Sequence, residues 1–336
     1  MAEILFIKTS SLGDIIHQMP AITDVRRHLP DARLSWVVEE PYAPLARLQP
    51  AIDEVIPVAS RRWRARLLEG ATWREIRRFR HMLRQRRYDS VIDSQGLLRT
   101  ALMIQSTRGV RHGYDRTSVR EPFAAFFYDV RHRVDTNLHA IMRNRMLCGL
   151  ALGYTPAPAI DFGLSAAPLS NHGMGAADYA VLFHGTAQPG KEWPQAHWVA
   201  LARELSAMGL QVVLPWGSTM ERRRSDAIAA ELSGSVVPDR KPLDAVARLI
   251  AGASLVVGVD TGLVHLAAAL AVPLVAIFLG SEPGLTGPLG AGPIEVVGGK
   301  GAMPDLSAVL RAIDRVAASP ITKARPAAPT RRVPPP

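Results

Sequence analysis

Short apolar runs alternate with longer amphipathic stretches along most of this 336-residue chain. Runs rich in Val, Ile and Leu are typical of strands that are buried on both faces, and a helix between two such strands lets them run parallel. The pattern therefore predicts an α/β protein that is built from βαβ units. The strands predicted in the first half span residues 4–7, 34–38, 55–58 and 90–92.

The alternation lapses between residues 154 and 178, where Pro, Asn and Gly accumulate, and then resumes. We therefore expect two doubly wound domains, at residues 1–153 and 179–318, with a linker at 154–178 between them. Residues 319–336 are rich in Pro and Arg and are predicted to form a disordered tail. Open α/β sheets bind ligands at the carboxyl ends of their strands, so the cleft between the domains is the expected active site. The second domain is predicted to contain strands at 179–183, 211–214 and 255–259 and helices at 195–208 and 220–232.

The composition excludes several classes of protein. With 48% hydrophobic and 21% charged residues, the chain is an ordinary globular protein, and its single cysteine, Cys148, rules out a disulfide scaffold or a Cys-rich zinc module. No signal peptide is predicted, because Glu3 precedes the first apolar run and Lys8 follows it.

The apolar stretch 263–280 reaches the length of a membrane span, with His265 as its only ionisable residue. Pro273 and the small residues around it interrupt the stretch. A helix at 263–270 followed by a buried strand at 274–279 is therefore the favoured interpretation.

Positive charge is concentrated in one part of the chain. The formal net charge is +10, and residues 61–87 contain eleven Arg against Glu69 and Glu75. The compact RRWR segment at 61–64 is predicted to be a loop near strand ends, where guanidinium groups suit phosphates or carboxylates. No helix-turn-helix, RRM or zinc-finger pattern accompanies the charge, which disfavours nucleic acid as the partner. Four later arginines recur at helical spacing and favour a solvated basic helix face; they are Arg77, Arg80, Arg84 and Arg87.

Polar residues follow the first predicted strand and lead directly into an apolar helix. Gly13 permits close backbone approach, and Ser10 and Ser11 supply hydroxyl groups. Asp14 at this turn has two interpretations. It is either a cap of the helix or a general base at the mouth of the active site.

The second half repeats this arrangement of strand, short turn and helix. Asp260, Thr261 and Gly262 follow the predicted strand 255–259, and His265 lies one turn along the helix. Free amides at such a turn suit an anionic ligand. A capping Asp with a half-buried His is the structural alternative.

The segment 185–192 has the GxxxxGK spacing of a phosphate-binding P-loop and follows a predicted strand. Two residues argue against that interpretation. Glu192 stands where a P-loop has its magnesium-binding hydroxyl, and Pro189 removes a backbone amide. Lys191 remains a candidate cation for a diphosphate. No metal site is predicted, because the sequence contains no HExxH, DxD or CxxC pattern.

The chain also resembles a known family, the lipopolysaccharide heptosyltransferases, and in particular those that add the first heptose. The resemblance is carried by KTSSLGDIIHQMPAITD, WVVEEPYAPL, VIPVASRRWR, YDSVIDSQGLLRTAL and HGYDRTSVREPFAAFFY in the first half. In the second half it is carried by FHGTAQPGKEWPQAHW, LPWGSTMERRR, VARLIAGASLVVGVDTGLVHLAAAL and PGLTG. It covers residues 1–317, and one departure is Ala187, where the family often has a second Thr.

The resemblance implies a GT-B fold, in which two Rossmann-like domains face a central cleft. It implies inverting, metal-independent transfer of L-glycero-D-manno-heptose from ADP-heptose to the inner Kdo of Kdo2-lipid A, with no cofactor. The acceptor would bind the first domain and the nucleotide sugar the second. The enzyme would work in the cytoplasm, in peripheral contact with the inner membrane. The sequence does not specify an oligomeric state.

Site residues follow from the resemblance by position. Asp14 would be the general base, and Lys191 would stabilise the departing ADP. The donor site would comprise Thr186, Lys191, Glu221, Asp260, Thr261, Gly262 and His265. The acceptor site would comprise Ser10, Ser11, Gly13, Arg61, Arg62, Arg64, Arg120, Arg143 and Arg145. Two alternatives stay open: a related GT-B transferase that adds a later heptose, and a polyanion-binding protein without catalytic activity.

Overall fold

The computed structural model describes residues 1–164, 178–186, 192–280 and 282–319. The chain forms two compact units that separate between Leu164 and Ser165, a position inside the predicted linker. The first residues of that linker pack on the first unit, where Tyr154 stacks on His28 with ring centroids 4.2 Å apart and Phe162 is buried. Most of the predicted linker and all but Ser319 of the predicted tail lie outside the described residues.

Unit 1, residues 1–164, contains a six-stranded parallel sheet with strand order β3-β2-β1-β4-β5-β6. Its strands are β1 (Glu3–Ile7), β2 (Arg33–Glu39), β3 (Glu54–Val58), β4 (Arg87–Asp93), β5 (Arg108–Tyr114) and β6 (Val130–His132). Its helices are α1 (Leu12–His28), α2 (Ala43–Ala46), α3 (Ser60–Ala65), α4 (Gly70–Gln85), α5 (Leu98–Ile104) and α6 (Ala140–Leu152), with 3₁₀ helices at Glu40–Tyr42 and Pro122–Phe127.

Unit 2 contains a five-stranded parallel sheet with strand order β11-β10-β9-β7-β8. Its strands are β7 (Tyr179–Phe183), β8 (Gln211–Val213), β9 (Leu255–Val259), β10 (Leu274–Phe278) and β11 (Ile294–Gly298). Its helices are α7 (Gln195–Ala207), α8 (Thr219–Ala229), α9 (Leu243–Gly252), α10 (Gly262–Ala269) and α11 (Leu306–Ala318).

The central strands explain why the apolar runs mark them so clearly. The side chains of β9 and β10 are buried along their whole length, as are those of β1 from Ile4 to Ile7, because helices cover both faces of each sheet. The predicted α/β fold with parallel sheets is therefore confirmed. The stretch 263–280 forms α10 and β10, and among the described residues no helix is long and apolar enough to cross a membrane.

Two local predictions were wrong. The RRWR segment is helical, because α3 spans Ser60–Ala65, and it is held by Trp63, whose ring lies 5.6 Å from that of Phe79. Arg87 does not continue the basic helix face, because α4 ends at Gln85 and Arg87 begins β4.

Candidate functional site

The carboxyl ends of β1 and β4 lie side by side in the sheet of unit 1. The chain leaves β1 towards β2 on one side and leaves β4 towards β5 on the other, so a crevice opens between these two neighbouring strands. Ligands of open α/β sheets bind at such switch points. The loops that follow the two strands are residues 8–11 and 94–97.

Asp14 lies at this point with its carboxylate oriented by two groups. Its Oδ2 accepts a hydrogen bond from the Ser11 backbone N–H at 2.7 Å, and its Oδ1 lies 3.5 Å from the Lys8 Nζ. The structure thus shows the capping interaction considered from the sequence. The carboxylate is nevertheless 26% exposed, so it can still contact a ligand.

Lys8 is a site residue that the sequence did not reveal. Its side chain is buried, and its Nζ donates a hydrogen bond to the Ser94 carbonyl oxygen at 2.9 Å. It therefore links the loop after β1 to the loop after β4 beside Asp14. Its ammonium group and the Asp14 carboxylate form an ion pair at the switch point.

The loop after β4 is fixed by a buried network. Gln95 Oε1 accepts hydrogen bonds from the backbone N–H groups of Thr9 and Ser10, at 3.0 and 3.1 Å. Asp93 accepts the Gln95 N–H at 2.9 Å and the Tyr128 hydroxyl at 2.9 Å. Burial raises the pKa of Asp93, and its hydrogen bonds oppose that rise. The backbone of Thr9 and Ser10 is thereby held in place.

Arg99, at the second position of α5, is another group that the sequence did not single out. Its Nη2 donates to the Ser10 Oγ at 2.8 Å, and its Nε is buried without a hydrogen-bond partner. Burial, followed by the positive charges of Arg64 and Arg61, lowers the pKa of Arg99. Arg99 therefore places a guanidinium group beside Ser10, within the electrostatic influence of Arg64 and Arg61, and this arrangement suits an anionic ligand.

The predicted acceptor arginines have different surroundings. Arg61 lies over the Tyr42 ring, 5.5 Å from its centroid, whereas Arg64 is exposed and takes part in no ion pair of the described residues. Arg62 pairs with Glu40 at 3.2 Å and with Glu75 at 2.8 Å. An acceptor anion would have to compete with these two carboxylates for Arg62.

Two further predicted acceptor residues follow β5 in sequence. Arg120 is exposed and adjoins Glu121, whose N–H bonds to the Gly96 carbonyl oxygen at 3.1 Å, so it lies beside the loop after β4. Arg143 is half-buried on α6, with its guanidinium 5.1 Å from the centroid of the Tyr114 ring, and it donates to the Ser118 carbonyl oxygen.

Arg145 does not fit the predicted acceptor role. Its side chain is completely buried, and its Nε and Nη2 bond to the two carboxylate oxygens of Asp24 at 2.6 and 3.1 Å. Its Nη2 also donates to the Ala157 carbonyl oxygen at 2.6 Å. The predicted acceptor contact is therefore replaced by a structural role, in which Arg145 joins α6 to α1 and to the chain leaving unit 1.

Unit 2 has its own switch point between β7 and β9, because β7 leads towards β8 and β9 leads towards β10 on the other side. Thr186 and Asp260 lie at these two strand ends, and the Thr186 Oγ1 donates to the Asp260 carbonyl oxygen at 3.4 Å. Thr261 precedes α10 with extended backbone, and its side chain does not cap the helix. Gly262 begins α10, and His265 is buried one turn later. Amides at this helix N-terminus suit an anion.

Glu221 is positioned by the start of α8. Its Oε2 accepts backbone N–H groups from Gly217 at 2.6 Å and Ser218 at 3.1 Å. Its carboxylate also packs against Gly185, where an added Cβ would lie 2.7 Å from Oε1. A side chain at residue 185 would therefore displace the Glu221 carboxylate from this position.

A cavity of about 850 Å³ opens beside Glu221 and Thr186. Its lining also includes Glu192 and Arg224, which form an ion pair of 3.0 Å. The Glu192 carboxylate, which would repel a phosphate, is thus neutralised by Arg224, a residue that the sequence did not single out. The described residues do not include Ala187, Pro189 or Lys191. The segment on which the P-loop alternative depends therefore lies outside them.

His184, next to Gly185, supplies a testable pH dependence. It is buried, with its Nε2 2.8 Å from the Ser225 Oγ, and burial together with the nearby Arg224 charge lowers its pKa from 6.5 to about 4. In the unfolded chain the His184 ring binds a proton more readily than in the folded protein. The stability that the neutral, buried His184 contributes is therefore fully present above about pH 6.5, and it is lost as the pH falls towards 4.

We expect the unfolding free energy to fall by about 2 kcal/mol through His184 between about pH 7.5 and pH 5. Urea unfolding at the two pH values measures this loss. His184→Gln should remove that part of the pH dependence, whereas substitution of the exposed His81 by Gln should not. An unchanged pH dependence in His184→Gln would assign the effect to other groups.

No group of three or more His, Cys, Asp or Glu side chains within the described ranges is arranged to hold a metal ion. The groups gathered at the two switch points are hydroxyls, carboxylates, guanidiniums and backbone amides.

Two doubly wound parallel sheets, each with an anion-suited site at its switch point, are the architecture of the GT-B class of glycosyltransferases. A model of glycosyltransferase family 9 (heptosyltransferase) matches residues 76–312. The chain belongs to this family.

Individual relatives agree with that assignment. Lipopolysaccharide heptosyltransferase 1 of Pseudomonas aeruginosa is 44% identical over 86% of this chain and 81% of the relative. The enzyme of the same name from Escherichia coli K12 is 39% identical over 86% of this chain and 91% of the relative. The solved structure of E. coli heptosyltransferase WaaC with ADP matches with a TM-score of 0.87 and 37% identity, over 93% of this chain and 99% of that one.

Proposed function

We propose that this heptosyltransferase moves L-glycero-D-manno-heptose from ADP-heptose to the inner Kdo sugar of Kdo2-lipid A. The observation that carries the proposal is the position of Asp14, a partly exposed carboxylate at the switch point of unit 1, with Arg99 bonded to Ser10 of the same loop. The names of the relatives and the ADP in the matching structure support the donor and the acceptor.

In the proposed reaction, Asp14 accepts the proton of the attacking Kdo hydroxyl. The hydroxyl oxygen bonds to the anomeric carbon of the heptose while the bond from that carbon to the ADP oxygen breaks, so the configuration inverts. The Lys8 Nζ lies 3.5 Å from the Asp14 Oδ1, and the Ser11 backbone N–H donates to its Oδ2, so both groups hold the carboxylate in place. The N-terminus of α10 and Lys191 are proposed to stabilise the departing ADP.

The exposed Arg64 and the half-buried Arg99 are proposed to bind the acceptor through its phosphates and Kdo carboxylates. We expect Arg64→Ala and Arg99→Ala each to raise the acceptor KM by about tenfold, because each removes a charge-assisted contact. The donor KM should change little, and initial rates at varied acceptor and donor concentrations measure both. Arg62→Ala should have the smaller effect on acceptor KM, since Arg62 is already paired with Glu40 and Glu75. If these substitutions raised the donor KM instead, the arginines would be assigned to the nucleotide site.

The transfer is proposed to need no metal ion, with cationic side chains and helix amides in its place. A chelator should therefore leave kcat unchanged. Loss of turnover with EDTA, restored by added Mg²⁺, would contradict this mechanism.

The choice between the first and a later heptose rests on the acceptor. The purified enzyme should transfer heptose to Kdo2-lipid A and not to a core that already carries one heptose. The opposite preference would assign a later step. Binding to heparin without turnover of ADP-heptose on either acceptor would favour the alternative of a polyanion-binding protein. The proposed site of action is the cytoplasmic face of the inner membrane.

A further inference from the structure

One layer of unit 1 comprises α3, α4, α5 and the 3₁₀ helix Pro122–Phe127. The connections β3 to β4 and β4 to β5 step the same way across the sheet, so right-handed crossovers place α4 and α5 on the same face. Direct contacts agree with this. The Arg80 Nε donates to the Ser106 Oγ at 2.9 Å, and the Gln105 Nε2 donates to the Phe127 carbonyl oxygen at 2.8 Å.

Exposed apolar side chains are concentrated on this layer. Within residues 1–164, eight of the twelve large hydrophobic residues that are exposed belong to these elements or to the turn between α3 and α4. Phe123 is 72% exposed, Phe126 is 61% exposed, and Leu68 is completely exposed. The other five are Leu67, Trp73, Met82, Leu98 and Leu102. A clustering of this kind marks an interaction surface, whereas single exposed hydrophobic residues do not.

Hydrogen bonds and an ion pair hold the turn between α3 and α4, so the exposed position of its apolar residues is fixed by the fold. The Trp73 Nε1 donates to the Leu67 carbonyl oxygen at 2.8 Å. Glu75 accepts the Trp63 Nε1 at 2.8 Å and pairs with Arg62 at 2.8 Å. These contacts fix α3 on α4 and leave Leu67 and Leu68 projecting into solvent.

Positive charge surrounds the apolar residues. The exposed residues Arg74, Arg77 and Arg84 of α4 form no ion pair with a described residue, and α3 adds Arg61 and Arg64. The acidic residues here are Glu69, Glu75 and Glu121; the first two are paired with Arg66 and Arg62, and the third accepts the Leu98 backbone N–H.

We propose that this layer, called here the lipid face, rests on an anionic lipid surface. Phe123, Phe126, Leu68 and Trp73 would enter the headgroup region, and the arginines of α4 would contact lipid phosphates. Aromatic and aliphatic side chains interleaved with cations are the composition that binds such an interface. The lipid face also continues to Arg64 and Arg99, so an acceptor anchored in the same membrane would arrive beside Asp14. The binding itself does not depend on heptose transfer, but its use in the reaction rests on the proposed function.

The test is co-sedimentation of the full-length protein with vesicles of phosphatidylethanolamine and phosphatidylglycerol that contain no lipopolysaccharide. One variant carries Phe123→Ser and Phe126→Ser. Its matched control carries Leu150→Ser and Met208→Ser, which are exposed residues outside the lipid face. A second variant carries Arg74→Gln, Arg77→Gln and Arg84→Gln. Its control removes three exposed cations of unit 2, by Arg240→Gln, Lys300→Gln and Arg311→Gln.

Wild-type protein and both controls should bind the vesicles equally, and each lipid-face variant should bind at least about tenfold more weakly. Omission of phosphatidylglycerol, or high salt, should weaken wild-type binding. All variants should keep their melting temperature and their kcat on a soluble, delipidated acceptor.

Equal binding by the lipid-face variants and their controls, or no binding of the wild type, would overturn the proposal. A dimer in analytical ultracentrifugation that depends on Phe123 and Phe126 would also overturn the proposal, because the lipid face would then bind a second copy of the chain. Vesicle binding without heptose transfer would instead refute only the proposed function.

Discussion

Replacement of Asp14 by Asn is expected to lower kcat by about 10² to 10⁴ while the protein still folds and binds ADP-heptose. Asn can accept the Ser11 N–H through its amide oxygen, so the cap at the start of α1 is kept. It cannot accept the proton of the acceptor hydroxyl. Steady-state kinetics, donor titration and thermal melting separate the two roles of this residue.

Asp305→Asn is the matched control for this substitution. Asp305 caps α11 by accepting the Ala308 N–H at 2.7 Å, and it belongs to unit 2, whereas Asp14 belongs to unit 1. Its replacement should leave both kcat and stability nearly unchanged. A kcat for Asp14→Asn above about one tenth of the wild-type value would move the catalytic base elsewhere.

The buried pair Arg145 and Asp24 carries the second large prediction. Arg145→Met is expected to lower the unfolding free energy by about 3–5 kcal/mol, because it leaves the Asp24 carboxylate buried without its partner. The double variant Arg145→Met with Asp24→Leu should recover much of this loss, since it buries no unpaired charge. Urea unfolding of the two variants and the wild type measures both effects.

The same variants distinguish a structural role for Arg145 from the acceptor contact that the family resemblance implied. A structural role predicts that the double variant, once refolded, keeps the wild-type acceptor KM. If Arg145→Met left the unfolding free energy unchanged and raised only the acceptor KM, Arg145 would be an acceptor-binding residue and not a structural one.

The fold could be predicted where strands are buried on both faces. The boundaries of β7 and β9 agree with the sequence patterns, because helices cover both sides of these strands and every position is apolar or small. The strand β5 was missed because Arg108–Tyr114 carries Arg, His and Gly and has exposed positions at its start. The three-residue β6 at the sheet edge is too short for any periodicity.

The candidate site could be predicted only where it is local in sequence. Asp14 and Thr261 each follow a strand and begin a helix, and such turns can be recognised from the chain alone. The contact of Lys8 with Ser94 joins residues 86 positions apart, and that of Arg99 with Ser10 joins residues 89 apart. Arg145 was misassigned for the same reason, because its partner Asp24 lies 121 positions away.

Mass spectrometry of Kdo2-lipid A after incubation with the enzyme and ADP-heptose shows whether the enzyme adds one heptose to this acceptor. We expect a mass increase of one heptose, an increase at least about a hundredfold slower with Asp14→Asn under the same conditions, and an anomeric configuration opposite to that of the donor. An unshifted acceptor mass with the wild-type enzyme would contradict the proposed function.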